Sequence, residues 1–441
     1  MNETTGKSLA RWWLLLGVAG LAVGGLLALP LAVAHTPAFA TPAMQQLFHN
    51  ALVVHVDLTV LVWFLTAACM VWSAEAAGRR AFITIPYLEQ AALGAMGAGA
   101  ALLAVSPLFG GEALMSNYIP VISNPVFFLG LALIFCSVVL QITYYFISYP
   151  LAKNLQGVAC ASTAIITGTA FVCFFVAAMH MPKVIEGEQY YDLLFWAGGH
   201  VLQNAYNILL VLTWLRLAIC LRPGLKTGSW LGLLCFFLLL ITVDALIVAV
   251  RDDVTSQNYR LFFTRDVMEV GGIAPALAGL WILTKLSLPS AKERAIFTSL
   301  AMSLLLFFYG GVLGVLIHGQ DVTIPAHYHG SIVGVTLAFM GLAYLWLPRF
   351  GYGEVAHTKL AFWQPIIYGV GQIMHISGLA WSGGYGVLRK TPGALEGGFT
   401  SAKAAMGLME LGGLLAIIGG FMFVVVVGRA VYNSSSEPLA K

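Results

Sequence analysis

At 441 residues, 59% hydrophobic and only 9% charged, with a mean hydropathy of +0.87, the chain falls outside the composition of soluble domains and reads as a polytopic membrane protein. Its formal charge of +3 is no sign of nucleic-acid binding, because the basic residues are spread over the loops as membrane topology demands, and no nucleic-acid partner is expected. The six cysteines, Cys69, Cys136, Cys160, Cys173, Cys220 and Cys235, lie inside or at the ends of apolar runs without a CxxC or CxxCH pattern, which excludes a disulfide framework, thiolate metal sites and a covalently attached haem.

Runs long enough to cross a bilayer, roughly 20 residues each, predict an all-α integral membrane fold of twelve helices. They fall over 11–35, 50–76, 86–109, 121–148, 155–181, 192–218, 229–250, 259–285, 295–317, 327–347, 361–386 and 403–432. The first run is too long for a signal-peptide core and reads as a retained helix. One membrane domain over 1–441 is expected, with short tails at about 1–10 and 433–441. Fifteen of the 22 Lys and Arg residues, among them Lys7, Arg11, Arg79, Arg80 and Lys153, fall on one side. That imbalance predicts cytoplasmic N- and C-termini.

In chain order, the second span reads NALVVHVDLTVLVWFLTAACMVW and carries His55 near its outer end. His49 lies outside the span and, like His35 and His357, is assigned no site role, and His180 reads as interfacial. Spans three to five are rich in Gly and Ala, as close-packed membrane helices are, and serve as scaffold. Glu89 and Glu112 lie near their ends and are expected to be solvated. Span six contains LFWAGGHVLQNAYN, which puts His200, Asn204 and Asn207 on one stripe of an apolar helix. Asp244 lies in span seven and Glu269 in span eight, at a depth close to His200. Carboxylates there need a metal, a cation or a proton.

Span ten opens with AHYHG, placing His327 and His329 two residues apart. Positions i and i+2 of a helix point about 200° apart, so the two rings cannot close on one ion and must serve different centres. Span eleven adds His375 and leaves the membrane at Arg389 and Lys390, two cations that could neutralise anionic groups of a buried cofactor. His55, His200, Asp244, Glu269, His327 and His329 all fall in the outer third of the membrane although their helices run in opposite directions. Haem iron suits such imidazoles: two give a closed six-coordinate electron carrier, one gives an open reactive site.

These residues resemble the catalytic subunit of the haem–copper oxidase superfamily, which includes the nitric oxide reductases, and the resemblance covers nearly the whole chain. AHYHG is similar to the family's H-x-H on helix ten, LFWAGGH to its helix-six motif, and HISGLAWSGGYGVLRKTPG to its helix-eleven turn. The resemblance implies that His327 is the proximal ligand of a high-spin haem and that His329 and His55 hold a low-spin haem, both b-type. It implies His200 as ligand to a distal non-haem metal, Fe or Cu, Arg389 and Lys390 at the propionates, and His318 and Asp321 in the outer loop beside them.

The chain departs from the family in helix seven, where residues 246–251 contain no histidine pair, and at Asn204, where oxygen-reducing members carry a tyrosine and nitric oxide reductases a glutamate. No lysine stands in IAPALAGLW on helix eight. Glu269 lies where nitric oxide reductases place a glutamate beside their non-haem iron, so the implied distal ligands are His200, Glu269 and Asp244, with Glu269 and Asn204 as catalytic candidates. Such oxygen-rich ligands favour iron over copper. The implied activity is reduction of two NO by two electrons and two protons to N2O and water, the haem iron and the distal metal each holding one NO. The alternatives are a terminal oxidase reducing O2 to water, and a non-catalytic dihaem electron-transfer or gas-sensing protein. The expected setting is a bacterial inner membrane, with the active site toward the outer side. A smaller cytochrome c or cupredoxin-like subunit is expected as the electron donor.

Overall fold

Peptide groups in hydrocarbon have no water to bond, so uninterrupted apolar runs must satisfy themselves as helices. In the computed structural model, which describes residues 3–34, 42–77, 85–148, 154–317, 322–383 and 400–434, they do. The helices are α1 (Glu3–Ala34), α2 (Pro42–Val56), α3 (Trp63–Ala77), α4 (Pro86–Val105), α5 (Pro125–Ser148), α6 (Leu155–His180), α7 (Gly187–Leu221), α8 (Trp230–Arg251), α9 (Gln257–Phe262), α10 (Val270–Leu283), α11 (Arg294–Val315), α12 (Thr323–Trp346), α13 (Lys359–Gly383) and α14 (Thr400–Ser434). A short antiparallel pair, β1 (Ala113–Leu114) and β2 (Val121–Ile122), lies between α4 and α5.

Two π-helical turns join segments into single spans: Asp57–Val62 links α2 to α3, and Phe263–Glu269 links α9 to α10. Each of the twelve expected spans thus has its helix. Among the described residues eleven are long and apolar enough to cross a membrane. The remaining span is α13, which carries Gln364, Gln372, His375, Ser377 and Ser382 within its 25 residues. Start signals are local: Asn154 accepts from Gly157 N at the head of α6, and Ser256 accepts from Tyr259 N at the head of α9. The chain is a multi-pass membrane protein.

The chain packs as two compact units. Unit 1 comprises the first part of α1, Val56–Leu215 and Gly224–Thr284; unit 2 comprises Leu21–His55, Arg216–Pro223 and the chain from Lys285 onward. In unit 1, α4 packs on α5, α3 on α5 and α6, and α6 on α8; in unit 2, α11 packs on α12 and α13 on both α12 and α14.

Small residues set the close crossings, as expected where lipid removes a hydrophobic drive between helices. A Cβ on Gly130 of α5 would sit 2.9 Å from the carbonyl oxygen of Gly99 on α4, and one on Gly99 would sit 2.7 Å from that of Gly130. Gly130→Val should therefore force α4 from α5 and destabilise unit 1 by about 1–3 kcal/mol, read as a lower thermal unfolding midpoint in detergent. An unchanged midpoint would mean that the crossing is looser than these distances require.

Candidate functional site

Three of the expected haem ligands lie in unit 2, and in each case Nδ1 is committed to a backbone carbonyl. His55, in the last turn of α2, donates from Nδ1 to the carbonyl of Gly24 on α1 at 2.8 Å. His327 donates to Gly310 on α11 at 2.7 Å, and His329 to Pro325, one turn back on its own helix, at 2.9 Å. A carbonyl can only accept, so the Nδ1 hydrogen is fixed and Nε2 is the nitrogen with the lone pair. This is the support metal-bound histidines ordinarily have.

The two rings of α12 face different neighbours. His327 lies over Gly314 of α11, where an added Cβ would come within 2.6 Å of its Nδ1. His329 lies beside His375 of α13, with ring centroids 5.4 Å apart, and stacks on Tyr328 at 5.1 Å. It interacts electrostatically with both His375 and His55. His375 donates from Nδ1 to the Met409 carbonyl of α14 at 3.0 Å. His55 and His329 thus present the same tautomer, and the two rings of α12 face different neighbours, His329 toward His375 of α13 and His327 toward Gly310 and Gly314 of α11. This donor set fits a bis-imidazole haem and a second haem with one protein ligand.

His200 lies in unit 1 and is fully engaged. Its Nδ1 donates to Trp196 O at 2.6 Å, and its Nε2 lies 2.7 Å from the hydroxyl of Tyr118. Burial holds the Tyr118 phenol well above the ordinary tyrosine range, so the phenol donates and Nε2 accepts. The glycines of LFWAGGH make room for this contact. A Cβ on Gly199 would run into the Tyr118 ring, and one on Gly198 into Phe174. Tyr118 adopts φ 66°, the left-handed region, and no other described non-glycine residue has positive φ. That conformation costs about 1–3 kcal/mol and is held by neighbours: Asn117 N donates to Asp192 Oδ1 at 2.6 Å, and Ser116 Oγ to Ile119 O at 2.6 Å.

The other expected distal ligands are not gathered here. Glu269 ends the π-turn on an exposed face that continues through Ile273 (54% exposed) and Leu277 (62%). Asp244 is exposed between Val243 (57%) and Ile247 (52%). The expectation that these carboxylates face His200 is corrected: equal depth says nothing about direction around a helix. Asn204 is buried one turn after His200, with neither side-chain heteroatom bonded among the described residues, and its amide oxygen fills the space over Gly271 of α10. No three His, Cys, Asp or Glu side chains among the described residues come together as metal ligands. The donor set does not fit a distal metal. His318, Asp321, Arg389 and Lys390 lie outside the described residues.

Sequence reasoning passed over three groups. Tyr118 left no local signal. Asp57, two residues after His55, is fully buried with neither oxygen bonded among the described residues; a carboxylate inside VVHVDLTVLV was a legible warning. Glu89, expected to be solvated, is fully buried and accepts from Gln141 Nε2 at 3.3 Å.

No protein-family model matches the chain. A heme-copper terminal oxidase, solved by cryo-EM as a dimer, superposes with a TM-score of 0.74 at 17% sequence identity, covering 100% of this chain and 85% of that one. At that identity the likeness establishes a shared fold. An uncharacterized protein of Aquifex aeolicus (strain VF5) is 29% identical over 349 residues, covering 78% of this chain and 85% of that protein. An uncharacterized protein of Rickettsia prowazekii (strain Madrid E) is 32% identical over 505 residues, covering 98% of this chain and 97% of that protein. Matched at that level from end to end, the chain belongs to the same family as the Rickettsia protein.

Proposed function

We propose that this chain is a respiratory membrane oxidoreductase that reduces nitric oxide to nitrous oxide, with His55 and His329 holding a low-spin haem and His327 a high-spin one. The observation that carries this reading is the set of three buried or half-buried imidazoles in unit 2, each with Nδ1 tied to a carbonyl. Bound there, the haems would supply one-electron transfer and an open iron position for a gas. The protein's part is to fix each ring and its tautomer; the carbonyl bonds also raise the basicity of Nε2. A smaller cytochrome c or cupredoxin-like subunit supplies the electrons, in a bacterial inner membrane with both termini cytoplasmic.

Nitric oxide is favoured over oxygen because residues 246–251 of α8 carry no histidine, so a three-imidazole copper site is not available. Reducing NO also breaks no O–O bond and draws fewer electrons and protons. One observation favours oxygen instead: Tyr118 sets a phenol against His200 at 2.7 Å, a group able to donate both a proton and an electron.

The test is gas consumption by the purified, chemically reduced complex under strict anaerobiosis, with His327→Ala as control. Loss of NO with N2O formed, falling at least about 100-fold in the variant as expected when an essential catalytic group is removed, is the expected result. Oxygen uptake by the same reduced complex in a separate assay in aerated buffer, without NO turnover, would move the assignment to a terminal oxidase. Absence of both would leave an electron carrier or gas sensor.

A further inference from the structure

We infer that His200 is not a metal ligand in this chain and that a hydrogen-bonded Tyr118–His200 pair stands where the family resemblance puts a distal metal. The inference rests on the haem reading only for the identity of that position, and not on the choice of gas.

Both nitrogens of His200 are used. Nδ1 donates to Trp196 O at 2.6 Å, and Nε2, the one lone pair the ring has left, accepts from the Tyr118 hydroxyl at 2.7 Å. A metal at Nε2 would lie about 2.0–2.1 Å out along that same lone pair, so phenol and metal compete for one direction.

The phenol is not there by the accident of a free rotamer. Its backbone is held in the left-handed region at φ 66°, the preceding amide is tied to Asp192 of α7 at 2.6 Å, and its ring occupies the space that any side chain at Gly199 would need. The rings of Tyr118 and His200 lie 4.8 Å apart, and Trp196 closes on both, at 6.2 and 4.9 Å. The two oxygen ligands that could complete a metal site, Glu269 and Asp244, are exposed on faces of their own helices. What remains is a neutral phenol–imidazole pair that carries a proton on oxygen and has nitrogen positioned to receive it. A haem-containing preparation without non-haem metal would thus be the working form of the protein and not a damaged one.

The test uses the whole purified complex. Haem is measured as the pyridine haemochrome, and copper, zinc and iron by elemental analysis, before and after chelator treatment and after exposure to each metal. The expected result is haem without stoichiometric copper, zinc or non-haem iron, unaltered in His200→Ala. A stoichiometric metal that is absent from His200→Ala while haem is retained would overturn the inference. Absence of haem, by contrast, would count against the proposed function and leave the metal result to be read separately.

A second measurement tests the pair directly. Tyr118→Phe and His200→Gln should each lower the thermal midpoint by a few degrees. Their double variant should be no less stable than the weaker single one, because both remove the same bond. Chelator should leave the wild-type midpoint in place. Additive losses, or a chelator-sensitive midpoint abolished in His200→Gln, would sink the proposal.

Discussion

Substitution of His329 by Ala is expected to remove the low-spin haem spectrum and to leave the high-spin spectrum in place, with total haem falling by about half, since one of two differently ligated irons loses an axial imidazole. The expectation follows from the split at the head of α12. His329 turns toward His375 at 5.4 Å and stays within electrostatic reach of His55, whereas His327 is bonded to Gly310 on α11. On the proposed assignment the two rings serve separate centres, and removing one need not disturb the other. His55→Ala should reproduce the same spectral loss, because a bis-imidazole iron needs both ligands. Simultaneous disappearance of both spectra from a protein that still migrates as a folded species would count against two centres. A shifted low-spin band in place of its loss would show His375 taking over as ligand, which the additional variant His375→Ala would then abolish.

Gly412→Leu should do the most damage to the fold. The crossing of α13 and α14 is built on glycines of both helices: Gly371 and Gly412 face each other, Gly378 lies against Ala405 and Met409 of α14, and Gly419 lies against Tyr368 of α13. A Cβ on Gly412 would sit 2.6 Å from the Gly371 carbonyl oxygen, one on Gly371 2.8 Å from that of Gly412, and one on Gly378 2.6 Å from that of Ala405. These neighbours are backbone, which cannot rotate aside as a side chain can. Overpacking ordinarily costs about 1–3 kcal/mol, occasionally more, and the upper end or beyond is expected where two main chains touch. The same seam holds His375 against the Met409 carbonyl at 3.0 Å, so the variant should also disturb the low-spin haem environment. Size-exclusion yield and thermal midpoint in detergent are the readouts. Gly407→Leu is the control, since a Cβ there meets nothing within 4 Å; equal damage from both would mean that α14 is intolerant of bulk for reasons other than this crossing.

Much of the architecture was legible without a fold. Apolar length sets the number and the ends of spans, because the bilayer allows the backbone no other solution. The helical repeat alone separates His327 from His329. The expected depth of a residue along its helix could also be read. What depth lacks is azimuth. Glu269 and His200 read at matching depths in the sequence, yet Glu269, the last residue of the π-turn over Phe263–Glu269, is exposed while His200 is buried. Asp244 failed for the same reason without a π-turn, being on the outer stripe of α8.

Tyr118 shows the other gap. It lies 82 residues before His200 in the chain, in a short loop with no periodicity, and its approach depends on a left-handed backbone and on the missing side chain of Gly199. By itself, then, the sequence determined that this is a multi-span helical membrane protein and that His327 and His329 point to different sides of their helix, since both follow from local apolar length and the helical repeat. Only the tertiary structure decided that His329 of α12 lies beside His375 of α13 while His200 is closed by a phenol, because partners are chosen by helix rotation and loop packing, which no local pattern encodes.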